Sequence, residues 1–279
     1  MTAPELYFHL KKTLDKNGIP SPQFEAMCIA EHIFGKRLPE IMLERQEASE
    51  EQINFCNSIL YKRISGEPLQ YLLGKWEFYG FPFYVGEGVL IPRQDTEILI
   101  EKVLSLGLEG APKIADLCSG SGCIGITLCK KIPHADVTAV EISERAAGYI
   151  NKNNRLNETF MRLVTGDVLN PKTAAMFKDL DLIVCNPPYL TKEDMENLQT
   201  EVKHEPQQAL FGGIDGLDMY RGITPLWKDA LKPGGYIIFE AGAGQAESVR
   251  KILSENGFKN TEITKDLCGI ERVISGQLL

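Results

Sequence analysis

Over residues 1 to about 75, apolar positions recur at helical spacing and glycine-rich loops are lacking. In FEAMCIAEHIFG they fall at Phe24, Met27, Cys28 or Ala30, and Ile33-Phe34, with Ser21-Pro22 a plausible cap and Gly35 a stop. SEEQINFCNSILYKRIS repeats the pattern at Ile53, Phe55-Cys56, Ile59-Leu60 and Ile64, and Ser49 with Gln52 has the form of a capping box. A bundle of short helices follows from this. Between 75 and 92 the texture changes to WEFYGFPFYVGEGVLIP, alternating, aromatic and broken by glycine and proline, which predicts a β-hairpin. From 96 onward strand-like and helix-like patterns alternate. Strands are expected at 114–117, 137–140, 162–164, 180–185, 236–240, 261–264 and 272–274, and helices at 96–106, 124–131, 144–154, 219–231 and 245–256. Such alternation predicts an α/β fold with a mostly parallel sheet and helices on both faces. The expected domains are a helical unit at 1–74, a hairpin linker at 75–95 and an α/β unit at 96–279.

Sheets of this kind bind ligands beyond the carboxyl ends of their strands. That rule lines up 116–122, Glu141, Asp167 and Asn186 along one rim. Gly120, Gly122 and Gly125 satisfy the GxGxxG spacing of a dinucleotide loop, and Glu141 ends the next strand, where an acid binds ribose hydroxyls. Asp116 tilts the reading away from a pyrophosphate, whose charge a carboxylate repels, and toward a cationic sulfonium and amino group. S-adenosylmethionine fits: ribose to Glu141, adenine beside Asp167-Val168, with Asp167 accepting from the exocyclic amine. The lesser alternative for Asp167 is an ordinary turn cap in Thr-Gly-Asp.

The strand at 180–185 stops at Asn186-Pro187-Pro188-Tyr189, because two prolines cannot continue a ladder. Asn186 supplies one acceptor and two donors, and the Pro187 carbonyl offers a second acceptor. Two acceptors side by side suit the hydrogens of a planar –NH₂ group, with the Tyr189 ring as a flat wall. Hydrogen bonds that strengthen as such a nitrogen pyramidalises favour the transition state over the ground state.

Composition narrows the classes. The net charge of −8 argues against a nucleic-acid coat, and residues 1–95 hold ten Lys+Arg against thirteen Asp+Glu. No apolar run approaches a membrane span and no leader pattern opens the chain. Seven cysteines, without a CxxC pair or a matching histidine pair, are expected to be reduced thiols in a cytoplasmic protein that binds no metal.

DLCSGSG, Glu141 and NPPY in this order resemble the class I S-adenosylmethionine-dependent methyltransferases, amino-methylating branch. GEPLQYLLGKWEFYG (66–80), VLIPRQDTEILIE (89–101) and HEPQQALFGGIDGLDMYR (204–221) resemble the peptide-chain release factor glutamine N5-methyltransferases, the HemK/PrmC type. The resemblance runs from about Gly66 to the C-terminus. It implies a Rossmann-like methyltransferase domain behind a helical substrate-recognition domain, and as substrate the glutamine of the Gly-Gly-Gln motif in class 1 release factors. It implies cofactor contacts from Cys118, Ser119, Gly120, Ser121, Gly122, Glu141, Asp167, Val168 and Asn186, with S-adenosylhomocysteine as product. It also implies that Asn186, Pro187, Pro188 and Tyr189 grip the glutamine amide. Glu141 stands where relatives often carry Asp, and Cys118 where many carry Gly.

Arg93 and Asp95 are expected to brace the hairpin rather than reach the cofactor. The acidic segment 191–208 is a candidate lid or recognition loop. The main rival function is N-methylation of an exocyclic amino group of a nucleic-acid base, which needs a basic groove; a second is a nucleotide-binding scaffold with a degenerate site. Neither nucleic acid nor membrane is an expected partner, and a monomer is expected.

Overall fold

The computed structural model describes residues 1–43 and 47–279. The chain divides into two compact units, 1–74 with 199–204, and 75–198 with 205–279.

The first unit holds α1 (Ala3–Lys16), α2 (Pro22–Phe34), α3 (Leu38–Leu43), α4 (Glu50–Ile64) and α5 (Leu69–Leu73). Thr2 with Glu5 and Ser49 with Gln52 form reciprocal capping boxes on α1 and α4. Ser21 makes no side-chain cap, and Pro22 alone fixes the start of α2. The inward face of α2 is Ala26, Ile29 and Ala30, packed in a core with Leu6, Leu10 and Leu14 of α1, whereas Phe24, Phe55 and Ile64 are exposed. Helical period was legible there, but its phase was not, because small alanines rather than the large aromatics face the close helix contact. A buried ion pair crosses this core: Arg63 Nε and Nη2 donate to the Glu25 carboxylate at 2.7 and 2.9 Å. Arg63 also donates to Glu201, from the segment that follows the Asn-Pro-Pro-Tyr corner.

The second unit opens with β1 (Lys75–Phe78) and β2 (Phe81–Tyr84), an antiparallel pair closed by Tyr79-Gly80 with φ of 52° and 78°. The hairpin is shorter than its sequence pattern, since 85–93 forms no strand. Its Phe78 and Phe83 are buried against Leu99, Ile100 and Val103 of α6 (Glu97–Ser105), so its packing lies within the α/β unit. The remaining elements are β3 (Lys113–Leu117), α7 (Cys123–Lys131), β4 (Asp136–Glu141), α8 (Glu144–Leu156), β5 (Arg162–Thr165), α9 (Pro171–Ala174), β6 (Leu180–Cys185), α10 (Lys192–Glu196), α11 (Asp218–Trp227), β7 (Leu231–Glu240), α12 (Ala246–Glu255), β8 (Lys259–Lys265) and β9 (Glu271–Gln277). The sheet order is β5-β4-β3-β6-β7-β9-β8; the first five strands run parallel, and β9 is antiparallel to both of its neighbours.

Alternation along the strands feeds two cores. Ile183, Cys185 and Phe239 face Tyr220 and Trp227 of α11, while Leu182, Val184 and Ile238 face α6 and α7. Two boundaries differ from expectation by about four residues or more. Helix α11 stops at Trp227, shortly after Pro225 removes a backbone donor, and β7 begins at Leu231 instead of 236. Among the described residues no helix is long and apolar enough to cross a membrane.

Candidate active site

Strand β3 delivers the glycine loop. The Ser119 amide donates to the Val140 carbonyl at 3.2 Å and the Gly122 amide to the Ser119 carbonyl at 2.8 Å, which curls the loop over the end of β4. Cys118, Gly120 and Gly122 all take left-handed φ, of 56°, 56° and 80°. At Cys118 this costs a side-chain-bearing residue about 1 kcal/mol, and it explains why glycine suits the position. The Cys118 thiol packs beside that of buried Cys185 at the end of β6.

Glu141 closes the loop from the neighbouring strand. Its carboxylate accepts from the Gly120 and Ser143 amides, each at 2.8 Å. Burial pushes this acid up, and the amides of Ser143, Gly120 and Ile142 oppose the shift. Each oxygen keeps a lone pair for a further donor such as a ribose hydroxyl.

Asp116 lies beneath the loop and outside the cavity wall. It is fully buried and accepts from the Gly125 amide at 3.0 Å, pinning the start of α7. Burial raises its pKa to about 7, against the Gly125 and Ser119 hydrogen bonds, and Oδ1 has no partner. Gly125 must be glycine, because a Cβ there would meet Asp116 Oδ2 at 2.9 Å as well as the Met161 sulfur.

One cavity gathers the rim. Cys118, Ser119, Gly120, Ser121, Glu141, Asp167, Val168, Asn186 and Pro188 line it, together with Ile124, Ile142 and Leu169. Asp116, Gly122, Pro187 and Tyr189 do not. Asp167 both lines the cavity and caps its own turn, accepting from the Leu169 amide at 2.8 Å. Its neighbour Val168 is anchored by the Trp227 indole, which donates to its carbonyl at 2.7 Å.

The Asn-Pro-Pro-Tyr corner is held from behind. The Asn186 amide nitrogen donates to the Thr96 hydroxyl at 3.2 Å. Gln245 donates to the Tyr189 carbonyl at 2.9 Å, and a Cβ at Gly212 would meet the Pro188 carbonyl at 2.6 Å, so the stretch after the corner packs backbone to backbone. Leu190 and Phe211 form a parallel bridge that pins both ends of the segment between them. Tyr189 is half-buried against the core around Cys185, Tyr220 and Phe239, and burial drives its phenol well above the usual range.

Several site residues were not singled out by the sequence. Thr96 and Glu240 reach Asn186 from separate elements, 90 residues away in the case of Thr96. Arg93 was expected to brace the hairpin. It lines the cavity instead and is clamped by buried Glu205, which also accepts from the Ile91 amide at 2.9 Å. Asp95 pairs with Arg272 of β9 at 3.1 Å. IPRQ and HEP are therefore two halves of one clamp, a pairing that spacing along the chain does not reveal.

The fit to a cofactor can be read from this wall. Arg93 is the single Lys or Arg among the residues that line it, and its charge is already paired. A dinucleotide would set two phosphates against Glu141 with no free cation on the wall to meet them, whereas for a sulfonium nucleoside Ile142, Val168 and Leu169 would offer an apolar bed for a base and Glu141 an acceptor for a diol. Fold and site together define an S-adenosylmethionine-dependent methyltransferase.

Residues 94–213 match the methyltransferase small domain family, and 5–74 match the PrmC N-terminal domain. A release factor glutamine methyltransferase from Fusobacterium nucleatum is 40% identical over 265 residues, covering 94% of this chain and 75% of that protein. One from Geobacter sulfurreducens is 42% identical over 229 residues, covering 82% and 79%. Among solved structures, a methyltransferase from Pyrococcus furiosus aligns with a TM-score of 0.54 at 17% identity, over 72% of this chain and 90% of that one, a likeness of fold. The chain belongs to the release factor glutamine methyltransferase family.

Proposed function

We propose that the protein methylates the side-chain amide nitrogen, N5, of the glutamine in the Gly-Gly-Gln motif of class 1 peptide chain release factors, in the cytoplasm and in the service of translation termination. The observation that carries this reading is Asn186 at the cavity rim, its nitrogen committed to Thr96 and its oxygen left to accept. A side chain held in that sense selects an –NH₂ donor.

When bound, S-adenosylmethionine supplies a methyl group on a cationic sulfur that departs as a neutral thioether. Asn186, with the Pro187 carbonyl, holds the two amide hydrogens of glutamine and turns the nitrogen lone pair toward the methyl carbon. Hydrogen bonds to that nitrogen strengthen as it becomes cationic, so they favour the transition state. The surplus proton leaves to solvent after the N–C bond has formed and the C–S bond has broken. Residues 118–121 of the glycine loop, Glu141 and Asp167-Val168 would hold the cofactor, and Gly122 and Asp116 act through the loop they shape. Tyr189, packed from behind, stiffens the corner and offers its exposed part to the glutamine side chain. Residues 1–74 serve release-factor recognition.

The test is methyl transfer from labelled cofactor to a class 1 release factor, with DNA and ribosomal RNA as parallel acceptors. The expected result is a single methyl mapped to the Gly-Gly-Gln glutamine. Label entering nucleic acid alone would overturn the proposal.

A further inference from the structure

The corner that presents Asn186 has an acid behind it. β6 and β7 run parallel with Cys185 beside Phe239, so Asn186 and Glu240 leave the sheet as neighbours. Glu240 is 1% exposed, and its carboxyl interacts with the Thr96 hydroxyl and the Asn186 amide. Its Oε2 has no hydrogen-bond partner. A buried carboxyl with an unused oxygen costs stability. The amide of Asn186 can be turned either way, and only one way leaves its oxygen to accept. A carboxylate accepts and cannot donate, so it rejects the Asn186 oxygen and draws the nitrogen inward.

We propose that Glu240 is a positioning residue: as a carboxylate, with Thr96, it fixes the Asn186 amide nitrogen-inward, so that the oxygen faces the glutamine –NH₂. The charge also polarises the amide, which enriches its oxygen as the glutamine nitrogen turns cationic. This role rests on the glutamine reading of the site.

The charge on Glu240 is set by its surroundings. Burial raises its pKa to about 7, while Thr96, Arg272 of β9 and Asn186 oppose the rise and Asp95 adds to it. Arg272 is shared with Asp95 and Asp266 at 3.1 and 3.3 Å, which leaves Glu240 incompletely compensated. The other titratable groups coupled to it are Cys123 of α7, Tyr189 and Cys185 on the corner's side, and Tyr220 of α11, all neutral thiols and phenols pushed up by burial. Below neutral pH Glu240 takes a proton, becomes able to donate, and no longer dictates the Asn186 orientation.

Glu240→Gln keeps the shape and removes the charge. With release factor and cofactor saturating at pH 8, its kcat should fall at least tenfold while KM for the release factor and Kd for the cofactor stay within twofold. The wild type should lose rate as the pH drops through about 7, and the variant should not. This separates Glu240 from Asp116, which also titrates near 7 and is present in both proteins. A variant within twofold of wild-type kcat, or one that keeps the acid limb, overturns the proposal. The Asn186 side-chain NH₂ resonances give a readout independent of turnover. They should titrate in the wild type with a midpoint near 7 and stay fixed in Glu240→Gln. Amide signals in the wild type that do not move between pH 5.5 and 8.5 overturn the role even where the variant fails to fold. Wild-type protein that leaves release factors unmethylated while these signals titrate would sink the functional reading alone.

Discussion

At the scale of single residues, the site sets conformation against side-chain identity. Cys118 holds a left-handed φ of 56° and contacts Cys185. Cys118→Ala keeps the backbone cost and loses the thiol contact, whereas Cys118→Gly loses the contact but removes the cost. We expect the alanine variant to be the less stable of the two by about 1 kcal/mol in urea unfolding; the reverse order would show that the left-handed turn carries no strain. Asn186→Ala should slow transfer by about 10²-fold or more and change cofactor affinity little, since most of the cavity wall lies elsewhere. Near-normal turnover of that variant in a single-turnover assay would remove Asn186 from the chemistry. Asn186 and Glu141 were legible in the sequence because each follows a buried apolar strand directly, where an isolated polar residue stands out. Glu240 ends an apolar strand just as Glu141 does, but no motif sets it or Thr96 apart, and only the sheet order brings them to Asn186.

At the scale of elements, the helix after the glycine loop is as constrained as the loop. Gly125→Ala in α7 forces apart Met161 and the Asp116 carboxyl that ties β3 to the helix. The expected cost is about 1–3 kcal/mol of stability, together with weaker cofactor binding measured by calorimetry. A helix interior would otherwise gain from alanine, so a stabilised variant would contradict the close approach. The capping box of Ser49 and Gln52 and the strand at Leu180–Cys185 were readable in the sequence because local chemistry fixes them. The inward face of α2 and the early start of β7 were not, since both depend on what packs opposite.

At the scale of the molecule, buried acids set the response to pH. Asp116 and Glu240 have folded pKa values raised to about 7 from 3.8 and 4.5, so the folded state binds more protons across that window. Their contribution therefore falls as pH rises through it. Asp215 and Asp266 are lowered below 3.8 and act with the opposite sign only in stronger acid. The melting temperature without cofactor should be lower at pH 8.5 than at 6, by roughly 2 °C or more, and Glu240→Gln should shrink the gap. A melting temperature that rises over this range would contradict the assignment. In the helical unit, Glu25→Gln leaves Arg63 buried with less compensation, and a loss of about 3 kcal/mol is expected in urea unfolding.

The sheet order has a consequence for how the protein is made. β9, residues 271–277, is antiparallel between β7 and β8, so the penultimate strand has no place in the sheet until the last one arrives. During synthesis the parallel half can assemble as it emerges, but the flank of β7 stays an open template until residues 271–277 leave the ribosome. A chain stopped before Glu271 keeps every residue of the cavity and still exposes two bare strand edges. It should collect in the insoluble fraction, although of the groups named around the site only Arg272 has been removed.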